Sequence, residues 1–146
     1  MILPDVNVLI YAFYEHADQH EVYANWLNST RAEEEELLLP DSVILGFLRI
    51  VTSPRIYQDP APMAAAIAFA SALRRGRRAR AVEDPGSVWS AFDRLVAEDR
   101  QIKGNLVPDA YIAAVAISHK ARVATRDRGF SRFPGLGSFD PGATSR

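Results

Sequence analysis

The chain opens with Met1-Ile2-Leu3-Pro4-Asp5-Val6-Asn7-Val8-Leu9-Ile10-Tyr11, and this stretch decides the fold. Its first apolar residues favour a short buried strand, Asp5 to Asn7 a turn, and Val8 to Tyr14 the start of a helix. A strand that leads directly into a helix is typical of a parallel sheet covered by helices. Asp5 is therefore expected just past the carboxyl end of a strand, where such sheets form ligand sites.

The same alternation of short apolar runs and helical patterns continues along the chain. Further strands are expected at Leu37 to Leu39, at Ala79 to Val82, at Val123 to Thr125 and near Phe139. Helices are expected at His20 to Leu27, from a cap at Asp41 or Ser42 to Val51, from Asp59 to Leu73, from a cap at Ser87 to Val96, and over a segment that has Pro108 in its first turn and runs to about His119. We predict an α/β protein in which residues 1–146 form a single three-layer α/β/α domain with a short parallel sheet, ending in a Gly/Pro-rich tail at 134–146.

Composition limits the functions that the chain can have. Its 146 residues suit one domain, and 48% hydrophobic with 24% charged residues is ordinary for a soluble globular protein. A net charge of −1 gives no overall attraction to nucleic acid, so such a partner needs a local basic patch. The absence of cysteine excludes disulfides, zinc–cysteine sites and a thiol nucleophile. With neither a basic leader nor a long apolar run, the protein is expected in the cytoplasm and away from membranes.

Three aspartates stand beside runs that look built for burial. Asp5 follows the first strand, Asp109 follows Leu106-Val107-Pro108, and Asp127 follows the strand that begins at Val123. A carboxylate in apolar surroundings is unfavourable unless it is paired, and converging carboxylates also repel one another. A divalent ion resolves both problems, and Mg²⁺, or alternatively Mn²⁺, prefers oxygen ligands of this kind. Such an ion activates water for in-line attack on a phosphodiester, so we predict metal-dependent hydrolysis with these three residues as catalytic metal ligands.

Each aspartate also has a structural interpretation. Asp5 suits an Asx-turn, and Asp109 suits the positive end of a helix dipole. Asp127 lies between Arg126 and Arg128, either of which would balance its charge. Singly, these interpretations are as good as the metal hypothesis. The three residues together, two of them just after strands, favour a metal site.

Four segments resemble, in order, the motifs of PIN-domain nucleases. They are Pro4-Asp5-Val6-Asn7-Val8-Leu9-Ile10-Tyr11-Ala12, Phe47-Leu48-Arg49-Ile50-Val51-Thr52-Ser53-Pro54-Arg55, Pro108-Asp109-Ala110-Tyr111-Ile112-Ala113-Ala114 and Ala124-Thr125-Arg126-Asp127-Arg128-Gly129-Phe130. Within that family the chain looks most similar to VapC-type toxins. The resemblance implies a Mg²⁺- or Mn²⁺-dependent endoribonuclease that forms a homodimer and is silenced by a cognate VapB-type antitoxin.

The resemblance also implies residue roles. Asp5 and Asp109 match metal ligands, Asp127 matches the last acidic position, and Asn7 and Thr125 match polar residues that support the acidic cluster. One departure concerns the helix after the second strand, where the family commonly has a glutamate and this chain has Gly46. A second metal is then expected to depend on RNA phosphate.

Asp41 is the nearest acid to Gly46. At 3.6 residues per turn, however, it lies roughly 140° away around the helix axis. It is better explained as an N-cap.

Arginines supply the candidate RNA contacts. Arg49, Arg55 and Arg126, near the acidic edge, are candidates for contact with RNA phosphate. Arg74, Arg75, Arg77, Arg78 and Arg80 form the densest basic cluster, which is either an RNA-steering patch or a solvated helix end.

Two other functions stay open on the sequence. One is a non-catalytic RNA- or antitoxin-binding module of the same fold, because Gly46 replaces an acid. The other is phosphotransfer through an aspartyl intermediate at Asp5, which the absence of a second aspartate in Asp5-Val6-Asn7-Val8 disfavours.

Overall fold

Five short parallel strands form one sheet in the computed structural model, which describes residues 1–143. The strands are β1 (Ile2–Pro4), β2 (Leu37–Leu38), β3 (Ala79–Arg80), β4 (Arg122–Ala124) and β5 (Ser138–Phe139). Their order across the sheet is β3-β2-β1-β4-β5. All four pairings between neighbours are parallel, as the alternation of strands and helices predicts.

Six helices flank the sheet. They are α1 (Val6–Phe13), α2 (His20–Ala32), α3 (Asp41–Val51), α4 (Met63–Arg74), α5 (Pro85–Glu98) and α6 (Leu106–Ser118), and a short 3-10 helix spans Arg128–Arg132. Helix α1 packs on α2 and α3, α3 packs on α4, and α5 packs on α6. The prediction of a single three-layer α/β/α domain with a short parallel sheet is confirmed.

Small and branched side chains let the helices approach the sheet closely. The central strand β1 is fully buried, and Leu3 has no exposed surface. Helix α6, which contacts β4, buries Ala110, Ala113, Ala114 and Ala116 completely. This close packing fixes the beginning of α6 relative to the ends of β1 and β4.

The order of the strands creates a switch point between β1 and β4. From β1 the chain builds β2 and β3 on one side, and it then returns to place β4 and β5 on the other. Pro4 is paired with Ala124, and the Asp5 amide donates a hydrogen bond of 2.9 Å to the Ala124 carbonyl. The residues that follow these two strands therefore start side by side, at the position where α/β sheets form ligand sites.

Helix α1 begins at Val6, two residues before the predicted start at Val8, and is capped by Asp5. Three later helix starts also differ from the sequence prediction. Asp41 is the first residue of α3 and not its N-cap, because the Pro40 carbonyl already accepts the amides of Val43 and Ile44. Asp84 caps α5 in place of Ser87, whose amide it accepts at 3.2 Å.

The start of α4 is the third difference. The helix begins at Met63 and not at Asp59, because the chain stays extended through Pro62, with φ −59° and ψ 141°. The helix itself was predicted correctly, and only its first turn was placed too early.

The predicted tail at 134–146 contains the edge strand β5 and folds back onto α2. Asp140 accepts a hydrogen bond of 2.7 Å from the hydroxyl of the fully buried Tyr23, and another of 2.8 Å from the Gly142 amide. Residues 144–146 of this tail lie outside the described residues. Within residues 1–143, no helix has the length and apolar character needed to cross a membrane.

Candidate active site

Asp5 lies at the centre of the candidate site, and the chain holds its carboxylate in one orientation. It directly follows β1, caps α1, and is only 6% exposed. Its Oδ1 accepts the Val6 amide at 2.7 Å, while its Oδ2 accepts the Thr125 hydroxyl at 2.7 Å and the Asn7 side-chain amide at 3.1 Å. Both carboxylate oxygens are thus positioned by residues that follow β1 and β4.

Asn7 and Thr125 connect the two strand ends, as expected of supporting polar residues. The Asn7 Nδ2 lies 3.4 Å from the Thr125 hydroxyl, and Asn7 Oδ1 accepts the Arg126 amide at 3.3 Å. The Thr125 hydroxyl also accepts the Asp127 amide at 2.9 Å. This network makes the positions of Asp5 and Asp127 depend on each other.

Asp127 is exposed and caps the short 3-10 helix that follows β4. Its Oδ1 accepts the Gly129 amide at 2.7 Å, an interaction that requires a close approach. A Cβ at position 129 would lie 2.9 Å from that oxygen, so only glycine permits this geometry. The Asp127 carboxylate is therefore positioned by a glycine that the sequence analysis did not single out.

Asp109 carries the largest electrostatic perturbation of the three aspartates. It lies in the first turn of α6, is half-buried, and receives no hydrogen bond from residues 1–143. Burial, together with the negative charges of Asp5 and Asp127, raises the pKa of Asp109 from 3.8 to about 6. Within residues 1–143, its charge has no hydrogen-bond or ion-pair partner.

Asp5 is perturbed in the same direction. Burial raises its pKa above 3.8 and the Asp127 charge adds to the rise, while hydrogen bonds from Thr125 and the Val6 amide oppose it. The mutual effects show that Asp5, Asp109 and Asp127 share one electrostatic environment. The three residues therefore lie near enough to affect one another's charge, and their role as metal ligands stays a prediction.

The donor chemistry of this edge fits a hard divalent cation. Among residues 1–143, no three His, Cys, Asp or Glu side chains are close enough to form a complete metal cage. Mg²⁺ does not need one, because it is often held by one or two carboxylates with water and substrate phosphate. The unpaired Asp109 carboxylate beside the buried Asp5 is where a cation would relieve the most repulsion.

The candidate arginines differ in their relation to this edge. Arg126 is exposed, and its guanidinium lies over the Tyr11 ring, 4.6 Å from the ring centre. Arg49 and Arg55 are also exposed, and neither forms a hydrogen bond or ion pair with the three aspartates in the described chain. Only Arg126 is tied to the acidic network, through its backbone amide.

Gly46 lies against the start of α1. A Cβ there would lie 3.1 Å from a methyl group of Val6, the residue after Asp5. A side chain at position 46 would thus begin beside the residue that follows Asp5, and this chain has no acid there. Asp41 does not replace it, because its exposed carboxylate pairs with Arg74 at 2.7 Å.

Aromatic side chains lie beside the acidic edge. Tyr14 and Tyr57 are stacked, with ring centres 4.7 Å apart, and they line a cavity together with Tyr11 and Asn7. Tyr11 lies on α1 and Tyr14 is the C-cap of that helix, and their spacing of three residues was the available signal. Tyr57 lies beyond α3 and could not be placed beside them without the fold.

The fold and this edge define the class: a single-domain α/β protein with carboxylates gathered beyond the ends of two adjacent parallel strands. The chain belongs to the PIN domain family, whose model matches residues 2–136.

Curated and structural relatives agree with this assignment. The chain is 37% identical over 133 residues to ribonuclease VapC43 of Mycobacterium tuberculosis, covering 91% of this chain and 90% of that protein. Its fold is similar to a chain of VapBC2 from Rickettsia felis bound to a promoter DNA fragment, with a TM-score of 0.68, 19% identity, and 96% and 98% coverage of the two chains. It is also similar to M. tuberculosis VapC20, a sarcin-ricin loop cleaving toxin, with a TM-score of 0.64, 17% identity, and 93% and 98% coverage.

Proposed function

We propose that this protein is a toxin endoribonuclease that hydrolyses RNA phosphodiester bonds and is neutralised by a cognate VapB-type antitoxin. The observation that carries the proposal is the uncompensated charge of Asp109 beside the buried Asp5, at the switch point of a PIN domain. Buried, unpaired carboxylates destabilise a fold, and sites of this kind are typically functional. The ribonuclease name of the VapC43 relative supports RNA as the substrate.

In this proposal Asp5, Asp109 and Asp127 would hold Mg²⁺, with Mn²⁺ as the alternative ion. A bound ion of this type would supply an activated water and offset the charge that develops on the phosphate. Thr125 and Asn7 orient the Asp5 carboxylate by donating to its Oδ2. Gly46 provides no fourth carboxylate, so ligands for a second ion would have to come from RNA phosphate.

Arg126, Arg49 and Arg55 are the proposed contacts for RNA phosphates. Arg126 is the strongest of the three, because its backbone is bonded to Asn7 and its guanidinium is held over Tyr11. A positive charge at the rim of an acidic site favours the approach of a polyanion that the carboxylates alone would repel. Homodimer formation and a cytoplasmic location, where RNA is available, complete the proposal.

The test is cleavage by Asp5→Asn, with Asp41→Asn as the matched control. Both variants remove one negative charge, but Asp41 is exposed and pairs only with Arg74. Asp5→Asn should slow Mg²⁺-dependent cleavage of a single-stranded RNA more than about 100-fold, since even partners of metal ligands contribute about 10–100-fold. Asp41→Asn should cleave at the wild-type rate. Cleavage by Asp5→Asn at that same rate would show that the mechanism is wrong.

The alternative function is a binding module that does not cleave RNA. Two observations favour it: the glycine at position 46, and the lack of a complete three-ligand cage within residues 1–143. Wild-type protein that binds RNA or antitoxin but releases no product with Mg²⁺ or Mn²⁺ would select this alternative.

A further inference from the structure

We propose that the aromatic cavity beside the acidic edge is a subsite for one unpaired nucleobase of the RNA substrate. The subsite consists of Tyr11, Tyr14, His16 and Tyr57, with Asn7 as its wall toward Asp5. This inference rests on the proposed ribonuclease function and deepens it, because it assigns a position that distinguishes single-stranded from paired RNA.

The cavity has the size and lining that a base requires. Its volume is about 410 Å³, which is ample for a nucleobase with part of its sugar. Three tyrosine rings and the His16 ring offer planar faces, and the tyrosine hydroxyls and the Asn7 amide offer hydrogen-bonding groups. Proteins that bind single-stranded nucleic acid stack bases on such aromatic rings.

The rings are held in place before any ligand arrives. Tyr14 and Tyr57 are stacked with an interplanar angle of 16°, and the Tyr14 hydroxyl donates to the Asp59 carbonyl at 2.9 Å. Tyr57 lies in the turn after α3, so the pair also joins that turn to α1. A rigid aromatic platform binds a base with little loss of side-chain entropy.

The cavity is continuous with the acidic site. Asn7 lines the cavity and donates to Asp5 Oδ2 at 3.1 Å, so the two sites share one side chain. Arg126 does not line the cavity, but its guanidinium lies 4.6 Å from the centre of the ring of Tyr11, which does. A nucleotide with its phosphate near Arg126 and the carboxylates would direct its base toward the tyrosines.

The charges around the cavity favour RNA over an acidic or purely apolar partner. No carboxylate lines it, whereas another cavity near the start of β1 is lined by Glu33, Glu34 and Glu35. The three glutamates of that second cavity would repel phosphates, and the aromatic cavity has no such charges. The aromatic cavity thus combines tyrosine rings with Asn7, which contacts Asp5.

The test measures RNA binding separately from cleavage. Full-length Asp5→Asn protein is titrated with fluorescein-labelled single-stranded octaribonucleotides in Mg²⁺, and the set includes RNAs with one abasic position at each site in turn. Tyr57→Leu, which keeps apolar volume but removes the ring, should weaken binding of intact RNA about tenfold. Tyr57→Phe should bind within about twofold of the parent, because the stacking ring remains.

The decisive result is whether the loss of one RNA base and the loss of the Tyr57 ring weaken binding independently or as one interaction. One abasic position should weaken binding by the parent about tenfold, and the same RNA should bind Tyr57→Leu with no further loss. His16→Ala provides a second variant, because His16 is exposed and its removal leaves the core intact. This variant should weaken the binding of intact RNA about threefold and leave the binding of that abasic RNA unchanged.

Two outcomes would overturn the subsite. One is an equal effect of Tyr57→Leu on intact RNA and on every abasic RNA. The other is unchanged RNA binding by both variants together with loss of antitoxin co-purification, which would make the cavity a protein-binding surface. If wild-type protein fails to cleave RNA while the coupling is present, the proposed ribonuclease function fails and the base subsite stands.

Discussion

The acidic edge and the arginine segment Arg74 to Arg80 show opposite treatments of charge. At the edge, three aspartates far apart in sequence meet, and none of them forms an ion pair within residues 1–143. In the arginine segment, five cations are adjacent in sequence, yet Arg74 pairs with Asp41 and Arg80 pairs with Glu36, both at 2.7 Å. The arginine segment is partly neutralised and solvated, whereas the acidic edge holds one buried, one half-buried and one exposed carboxylate without an ion pair among the described residues.

The two regions differ in how strongly their charges are expected to affect the stability of the fold. An exposed ion pair contributes little, so its members can be replaced with small effect. A buried carboxylate without a partner opposes folding, and it persists where a ligand compensates for it. Under the proposed function, isolation within an apolar run is therefore a better sequence signal than the local density of charge.

The largest expected effect comes from removing the repulsion at the acidic edge. Asp109→Asn should lose cleavage and yet be more stable than wild type at pH 7.5 in EDTA. If solvent did not screen the interaction, the pKa rise from 3.8 to about 6 would lower the free energy of unfolding of the ionised wild type by about 3 kcal/mol. Because solvent reaches this half-buried group, we expect urea unfolding to show that Asp109→Asn is more stable than wild type by about 1–2 kcal/mol.

The stability difference between Asp109→Asn and wild type should depend on pH. Below pH 3.8 the Asp109 carboxyl is protonated in both folded and unfolded chains, so the variant has no advantage. The wild type loses stability relative to Asp109→Asn as the pH rises from 3.8 to about 6, and the difference is constant above that. Asp41→Asn should change stability by less than about 1 kcal/mol at either pH. An Asp109→Asn protein that is less stable than wild type at pH 7.5 would contradict this account of the edge.

A smaller effect is expected where glycine positions an acid. Gly129→Ala places a Cβ 2.9 Å from Asp127 Oδ1, so the carboxylate must move and lose its hydrogen bond to the Gly129 amide. We expect cleavage to slow about tenfold, in the range seen when partners of metal ligands are lost. Gly86→Ala is the matched control, because its Cβ would make an ordinary contact of 3.5 Å with Asp84. Equal cleavage rates for the two variants would remove Asp127 from the proposed site.

The smallest expected effect is on RNA binding, and it distinguishes Arg126 at the acidic edge from the arginine segment. Arg126→Ala should weaken RNA binding about fivefold, because it removes a cation held at the rim of the acidic edge. The double variant Arg75→Ala/Arg77→Ala removes two exposed cations from the arginine segment and should weaken binding less than about twofold. Affinities measured over a series of salt concentrations distinguish the two. A steeper salt-dependent loss in the double variant would make the segment an RNA-steering patch.

Local patterns were sufficient for most of the architecture. Each predicted strand exists, because runs such as Leu37 to Leu39 and Val123 to Thr125 are both short and apolar. The helix starts were harder, since an N-cap depends on backbone angles as well as residue type. Asp84 caps α5 with φ at 47°, a left-handed conformation that no propensity at Ser87 could indicate.

The candidate site was predictable in composition but not in detail. Asp5, Asp109 and Asp127 follow apolar runs, which the sequence displays directly. The role of Gly129 depends on one close approach, and that of Tyr57 on packing between α1 and the turn after α3. Contacts of this kind arise from the tertiary fold, so single-sequence patterns do not contain them.

The central position of β1 has a consequence for the order in which the molecule matures. The hydrogen bond from Thr125 to Asp5 joins residues 120 positions apart, and β1 pairs with β4 along its whole length. A growing chain therefore presents Asp5 first but cannot complete the acidic edge until β4 and the following loop have been synthesised. Non-local pairing of this kind also forms slowly. The site thus remains in two separate halves until the residues after β4 have been synthesised, and a chain interrupted before β4 carries no assembled acidic edge.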